Sequence, residues 1–409
     1  MDTFISANIL LPKVSSMEKW AVIACDQFVS QKDYWKRVRE FVGDAPSSLH
    51  IILPEAELGG DPAEAISNIN STMTRYLSED LFTCYENSFI YVERTLLNGS
   101  IRRGVIGAVD LDQYDYTPGS ASAVRATEKT VVERIPPRQR IRKDAPIELP
   151  HVLLLCDDEK QVLINSVADQ KDQLPLLYDF SLMEGGGRIR GWLVQGKVAE
   201  DFCRELDRYE ARCREKLGDK PVLFAVGDGN HSLASAKACY EALKENNPDT
   251  DLSGHPARYA LVELENIHDD SQVFEPIHRV ITDTDPTAML EALQAQVCAE
   301  GGCPVRWFAG DRSGTVYLDA KDGQLPIGVL QAFLDDYLQS HPGETDYIHG
   351  DDALEQLARA EGAIGFLLPA MEKGQLFTGI IADGVLPRKT FSMGHAQEKR
   401  YYLEAKMIR

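Results

Sequence analysis

Positive charge is scarce in this chain. Its 409 residues carry 43 Lys and Arg against 64 Asp and Glu, a formal net charge of -21 at pH 7. That balance repels a phosphate backbone unless the cations are gathered on one face, so nucleic acid is not an expected partner. Nowhere does an apolar run reach the roughly 18 residues that a membrane span needs. The opening stretch, MDTFISANILLPKVSSMEKW, lacks the basic-then-apolar order of an export signal. A cytoplasmic location without a membrane partner is the resulting expectation. The eight cysteines include no CxxC, which speaks against a zinc ribbon and against a disulfide framework, leaving reduced, mostly buried thiols. What is plentiful is apolar residues, 44% of the chain, enough for a large core in one big or two ordinary domains.

The apolar pattern predicts alternating element types. HIILPEA (50–56) and SFIYVERTL (88–96) read as buried strands, with a helix between them over DPAEAISNINSTMTRYLSE, opened by Asp61 and Pro62. RRGVIGAVDLDQY continues the sheet, and PHVLLLCDDEKQVLINSV reads as two strands hinged at Asp157, Asp158 and Glu159. Val198, Phe202, Leu206, Tyr209, Cys213 and Leu217 recur at helical spacing, so an amphipathic helix runs to Gly218. KPVLFAVG is the next strand, and a helix begins near Ser232. A further helix is expected over Leu325 to Gln339, and HPGETDYIHGDDAL (341–354) is expected to introduce the last helix and hairpin. The closing KRYYLEAKMIR reads as a docked strand.

Between KPVLFAVG and the helix after it stands GDGNHSLASAK (227–237). A strand-to-helix turn directs backbone N–H groups and the positive end of the helix dipole at one point, which suits a phosphate or carboxylate. Gly227 and Gly229 permit unusual backbone angles and close ligand approach. Asp228 beside an anion is repulsive unless a divalent cation bridges the two. His231 is of the residue type that most readily donates or accepts a proton near neutrality. An ordinary turn capped by Asp228 or Asn230, with a satisfied histidine, uses the same residue types. The second notable stretch, VRATEKTVVERIPPRQRIRKD, collects Arg125, Lys129, Arg134, Arg138, Arg140, Arg142 and Lys143. It is either a solvated basic loop or a local anion site in an acidic protein. Glu128 within it is an ion-pair partner or a site acid. His278 and His395 are weaker candidates, each with a structural reading beside it.

VGDGNHSLASAK, VRATEKTVVERIPPRQRIRKDAPIELPHVLLL and VLPRKTFSMGHAQEKRYYLEAKMI together resemble the bacterial and archaeal family catalogued as domain of unknown function 1015, over essentially the whole chain. The family's turn looks like the phosphate-binding box of the ParB and sulfiredoxin superfamily, which includes the ADP-dependent free serine kinases. The resemblance implies a mixed α/β fold, with a ParB/sulfiredoxin-like body over residues 1–285 and a smaller C-terminal α+β portion over 286–409, divided at TDTDP. It also implies a phosphotransferase acting on the hydroxyl of a free amino acid, serine foremost, with Mg2+ and ADP, ATP or another phosphate donor. Asp228 would hold the metal. Gly227, Gly229, Asn230, Ser232, Arg138 and Arg140 would bind phosphate or nucleotide, and Asp26, His231 and Glu128 would carry the chemistry. Ser232 stands where the family usually has arginine, so its phosphate contact must come from elsewhere, Arg134 to Arg142, Arg388, Lys389 and Arg400 being available. A phosphoserine-type phosphatase at the same site and a non-catalytic nucleotide sensor remain open. The sensor reading would need a basic recognition helix, and the long helices carry as much acid as base.

Overall fold

Residues 3–57, 62–129, 135–218, 220–321, 324–387 and 389–409 are described by the computed structural model. Asp61, Arg134 and Arg388 lie outside them. The chain divides into two compact units, one comprising Met1–Ala126, Thr130–Gln272 and His395–Arg409, the other Thr127–Lys129 and Val273–Gly394. Both mix helices and strands, as expected of an α/β protein, and no described helix is long and apolar enough to cross a membrane.

In chain order the first unit contains β1 (Ala7–Pro12), α1 (Ala63–Ser78), β2 (Phe82–Thr95), β3 (Ile101–Asp110), β4 (Tyr114–Asp115), β5 (Val124–Ala126), α2 (Ile135–Lys143) and β6 (Leu153–Cys156). There follow α3 (Val162–Ala168), β7 (Leu176–Ser181), β8 (Arg188–Val194), α4 (Gly196–Leu217), β9 (Phe224–Asp228), α5 (Asn230–Asn246) and β10 (Tyr259–Asn266). One sheet runs through the unit in the order β7-β8-β2-β3-β10-β6-β9-β5-β4, with β1 paired to β2. The alternation of side chains along its strands fills two cores. Phe89 and Tyr91 of β2 and Val105 and Val109 of β3 face α3 and α4, where Phe202 and Tyr209 are buried. Ile90, Val92, Ile106 and Ala108 face the other way, toward Tyr34, Trp35, Val38 and the C-terminal Tyr401, Tyr402 and Leu403. The helix expected from Val198 to Leu217 is present and stops at Gly218, whose φ of +86° suits glycine.

The second unit holds β11 (Phe274–Thr282), α6 (Pro286–Val297), β12 (Cys298–Ala309), β13 (Arg312–Leu318), α7 (Pro326–Tyr337), β14 (Glu344–His349), α8 (Asp351–Leu357), β15 (Ile364–Leu367), α9 (Gln375–Asp383) and β16 (Phe391–Met393). Its sheet has the order β13-β12-β15-β11-β14, with β16 also on β11. His278 is buried in β11, where Nδ1 accepts the Leu368 N–H at 3.1 Å and Nε2 meets Asp351 Oδ1 at 3.0 Å, a structural arrangement. The chain then supplies β17 (Tyr401–Tyr402) and β18 (Lys406–Met407) to the first unit, where they pair with Val22–Ile23 and Ile147–Glu148. The closing segment is docked, as its aromatic content suggested.

Four local expectations are corrected. HIILPEA is not a strand but two single 3-10 turns, Ser48–Ile51 and Glu55–Glu57. QVLINSV is the helix α3, because the Asp158 carboxylate accepts the Leu163 N–H at 2.7 Å and starts a helical turn. The basic run is in part the helix α2, with Pro136 and Pro137 in its first turn, where a missing N–H costs nothing. The helix after HPGETDYIHGDDAL is α8, and α9 still follows it.

A buried ionic group ties the C-terminal segment down. The Arg400 guanidinium, 2% exposed, meets Glu263 and Glu404 and donates from Nε to Pro150 O at 3.2 Å. Arg94 donates to the carbonyls of Gly186, Gln397, Glu398 and Lys399 at 2.5–3.1 Å. His395 caps the one-turn helix Ala396–Glu398 there, its N–H donating to Glu398 Oε2 at 2.9 Å.

Candidate functional site

The register of the sheet assembles the candidate site. β9 pairs antiparallel with β6, Asp228 opposite Leu153, so His151, two residues before β6, falls beside the turn that follows β9. β17 pairs with Val22–Ile23, Tyr402 opposite Val22, which carries the next residues, Cys25 and Asp26, alongside Tyr402. The Ala24 N–H donates to Arg400 O at 2.9 Å and continues that pairing.

The turn is built around Gly229. Gly229 is the residue before α5, with φ +81°, and a Cβ there would lie 3.1 Å from Val152 Cα and 3.4 Å from His151 Cδ2. Gly229→Ala is therefore expected to cost on the order of 1–3 kcal/mol, from strain at positive φ and from the close backbone neighbour. Chemical denaturation of the variant measures it. Neither Asp228 nor Asn230 caps the helix: the cap position is Gly229, with no side-chain cap, and Asn230 is already helical. Asp228 Oδ1 accepts the Gly229 N–H at 3.0 Å, and the Ser232 N–H donates to Gly229 O at 3.0 Å. Two of the amides expected to face a phosphate are thus already engaged. Asn230 and His231 form the first helical turn, half-buried, and His231 O accepts from Ser235 Oγ at 2.7 Å.

At the centre is His151, buried between two hydroxyls. Its Nε2 lies 2.7 Å from Ser232 Oγ and its Nδ1 2.8 Å from Tyr402 OH. Tyr402 OH in turn accepts the Cys25 N–H at 3.2 Å and lies 3.1 Å from Cys25 Sγ. Burial pulls the His151 imidazole below its ordinary value, against the pull of Asp26 and Asp228, with Arg138 and Arg400 adding to the drop. Each ring nitrogen thus faces one hydroxyl. Desolvation, then Asp26, push the Cys25 thiol up to about 11, so it is not a thiolate. Burial also holds the Tyr402 phenol well above its usual range.

Asp26 is half-buried. Desolvation alone would push its carboxyl up, but His151, the Gln27 amide at 3.0 Å, Arg138 and Lys399 together hold it below the usual carboxylate range. Lys399 Nζ also stands 3.6 Å from Asp228 Oδ2. Arg138 is paired with Glu55, whose N–H donates to Cys25 O at 2.8 Å. The arrangement brings two carboxylates, two cations, an imidazole and a serine hydroxyl to the N-terminal end of one helix.

Of the residues expected from sequence, Asp26, Asp228, Arg138 and Ser232 meet around His151 in this way and Gly229 shapes the turn, whereas Gly227 lies within β9 without a positive φ, packed against the Leu155 side chain. Arg140 is exposed and lines a different groove with Lys143 and Asn70. Glu128 belongs to the second unit, where its Oε1 accepts the Lys389 N–H at 3.3 Å and its backbone bridges to Leu386. His151, Tyr402 and Lys399 had no role in the sequence reading. Only the placement of His151 just before a strand that must pair beside the turn could have pointed to it.

The family described as "Protein of unknown function (DUF1015)" matches residues 11–406. No curated protein matches the chain. Solved structures similar to it include a free serine kinase in complex with AMP, at 13% identity and TM-score 0.35, covering 73% of this chain and 90% of that one. A conserved hypothetical protein from Pyrococcus furiosus is similar at 12% identity and TM-score 0.36, covering 73% and 94%. SbnI with a C-terminal truncation, from Staphylococcus aureus, is similar at 11% identity and TM-score 0.35, covering 71% and 82%.

Proposed function

The chain belongs to the DUF1015 family over nearly its whole length, and we propose that it is a small-molecule phosphotransferase acting on a hydroxyl group, with a nucleotide as phosphate donor and free serine as the first acceptor to test. The observation that carries this reading is the gathering of Asp26, His151, Arg138 and the Lys399–Asp228 pair at the start of α5. Phosphoryl transfer asks a protein mainly for positioning and charge neutralisation. Here Arg138, Lys399 and the helix dipole face the phosphates. Asp26, kept ionised, takes the proton of the acceptor hydroxyl as its oxygen bonds to phosphorus and the donor leaves one phosphate shorter.

Among the described residues no group of three or more His, Cys, Asp or Glu side chains gathers at a metal-binding point. Mg2+ usually takes one or two carboxylates and fills its shell with phosphate oxygens and water. The residues fit a cation of that kind arriving with the nucleotide, and Asp228 is the side chain that would hold it. Bound there, it would neutralise developing phosphate charge.

Incubating the full chain with Mg2+, ATP or ADP and serine, and separately with phosphoserine alone, separates the possibilities by phosphorus NMR. Phosphoserine made from the donor supports the proposal. Phosphate released from phosphoserine in water turns it to the phosphatase, and nucleotide binding without either product turns it to a sensor. Asp228→Asn and His231→Ala are expected to abolish transfer while leaving the melting temperature within a few degrees of the parent. A collapse in stability would assign both residues to the architecture of the turn instead.

A further inference from the structure

Beside the candidate site lies a cavity of about 150 Å³, with Leu53, Met73, Ile141, Leu233 and Leu261 in its walls. Part of the lining is polar, formed by Ser232, His151, Tyr402 and Cys25, the hydrogen-bonded string already described, together with Arg138 and Ser235. A second polar pair in the lining is engaged with its own surroundings. Arg142 Nη1 lies 2.5 Å from Glu148 Oε2, and Glu148 Oε1 accepts the Leu261 N–H at 2.8 Å. Ser232 Oγ, in contrast, has His151 Nε2 as its partner, and a hydroxyl can donate one hydrogen bond and accept two.

An aliphatic cavity of about 150 Å³ is the size that takes a benzene-like ring. Free serine, with one side-chain methylene, would leave most of the apolar wall formed by Leu53, Met73, Ile141, Leu233 and Leu261 uncovered. We infer that the cavity seats the ring-sized apolar body of a hydroxylated small molecule, its hydroxyl against Ser232 Oγ. The inference deepens the phosphotransferase reading by naming the acceptor class, and rests on that reading for the fate of the hydroxyl.

Calorimetric titration of the full chain without nucleotide tests the seat by itself, with cyclohexanol, p-cresol, benzene, serine and adenosine as probes. Cyclohexanol and p-cresol are expected to bind more tightly than serine. Ser232→Ala should weaken both alcohols about five- to tenfold, the worth of one hydrogen bond, and leave benzene unchanged. Ala236→Leu, which fills the cavity, should remove all binding, and Ala260→Val serves in its place if that variant does not fold. Binding of serine without the alcohols would overturn the inference, as would binding of adenosine alone, which would make the cavity the nucleotide's own. Phosphorus NMR with Mg2+ and ATP then follows the alcohols. Alcohols that bind while neither they nor serine are ever phosphorylated leave the seat standing and remove the phosphotransferase reading.

Discussion

Arg400→Met is expected to lower the unfolding free energy by about 3–5 kcal/mol, the largest single effect on stability anticipated here. The reason is what remains behind. Glu263 and Glu404 are 3% and 0% exposed, and both face the guanidinium that the substitution removes. Glu263 would stay in a low-dielectric interior without its cation, Glu404 would keep only the Tyr178 hydroxyl that donates to its Oε1 at 2.5 Å, and the Pro150 carbonyl would lose its donor. Adding Glu263→Gln and Glu404→Gln to the variant should recover part of the loss, because the orphaned carboxylates are then gone. Guanidinium denaturation of the three proteins measures it. A cost under about 1 kcal/mol for Arg400→Met would mean that water reaches the group and screens it.

The second large effect concerns rate. Asp26→Asn is expected to reduce phosphoryl transfer by about 10²- to 10⁴-fold, the usual contribution of a positioned general base. Donor binding should be nearly unchanged, since the asparagine keeps the shape of the side chain. The same variant carries a pH signature. The folded protein holds the Asp26 carboxyl below the ordinary value, so the folded state binds its proton less readily than the unfolded chain. That stabilisation is fully present above the ordinary carboxylate pKa and is lost as the pH falls through the lowered value. The parent should therefore exceed Asp26→Asn in stability near neutral pH, and the difference should close in acid. A difference that grows in acid would reverse the sign of the interaction with His151, Arg138 and Lys399. A variant with undiminished transfer would remove Asp26 from the chemistry.

Regular periodicity made much of the framework legible. α4 could be read because six apolar residues share one face, and β2 because Phe89 to Val92 are apolar without interruption, as a strand covered on both sides must be. The failures have local causes. In HIILPEA, Ile51, Ile52 and Leu53 are buried without being paired in a sheet, so hydrophobicity alone pointed to a strand. In QVLINSV the β-branched residues suggested a strand, but Leu163, Ile164 and Val167 bury a helical face, and the Asp158 carboxylate takes up the N–H of Leu163 in its first turn. At the site, the turn itself was readable from GDGNH. His151 and Tyr402 were not, since they stand 251 positions apart and meet only through two strand pairings.

The order of the chain also bears on how the first unit is made. Its sheet is complete by Asn266, yet Arg400, Tyr401 and Tyr402 reach it only after the 122 residues of Val273–Gly394 have been laid down as a separate unit. Emerging from a ribosome at roughly 5–20 residues per second, the nascent first unit spends several seconds with Glu263 uncompensated and the Val22–Ile23 edge unpaired. It is then an open seam awaiting its last strand. A chaperone that shields such edges, or a truncated product ending near Gly394, would act on this intermediate and leave the second unit to fold on its own schedule.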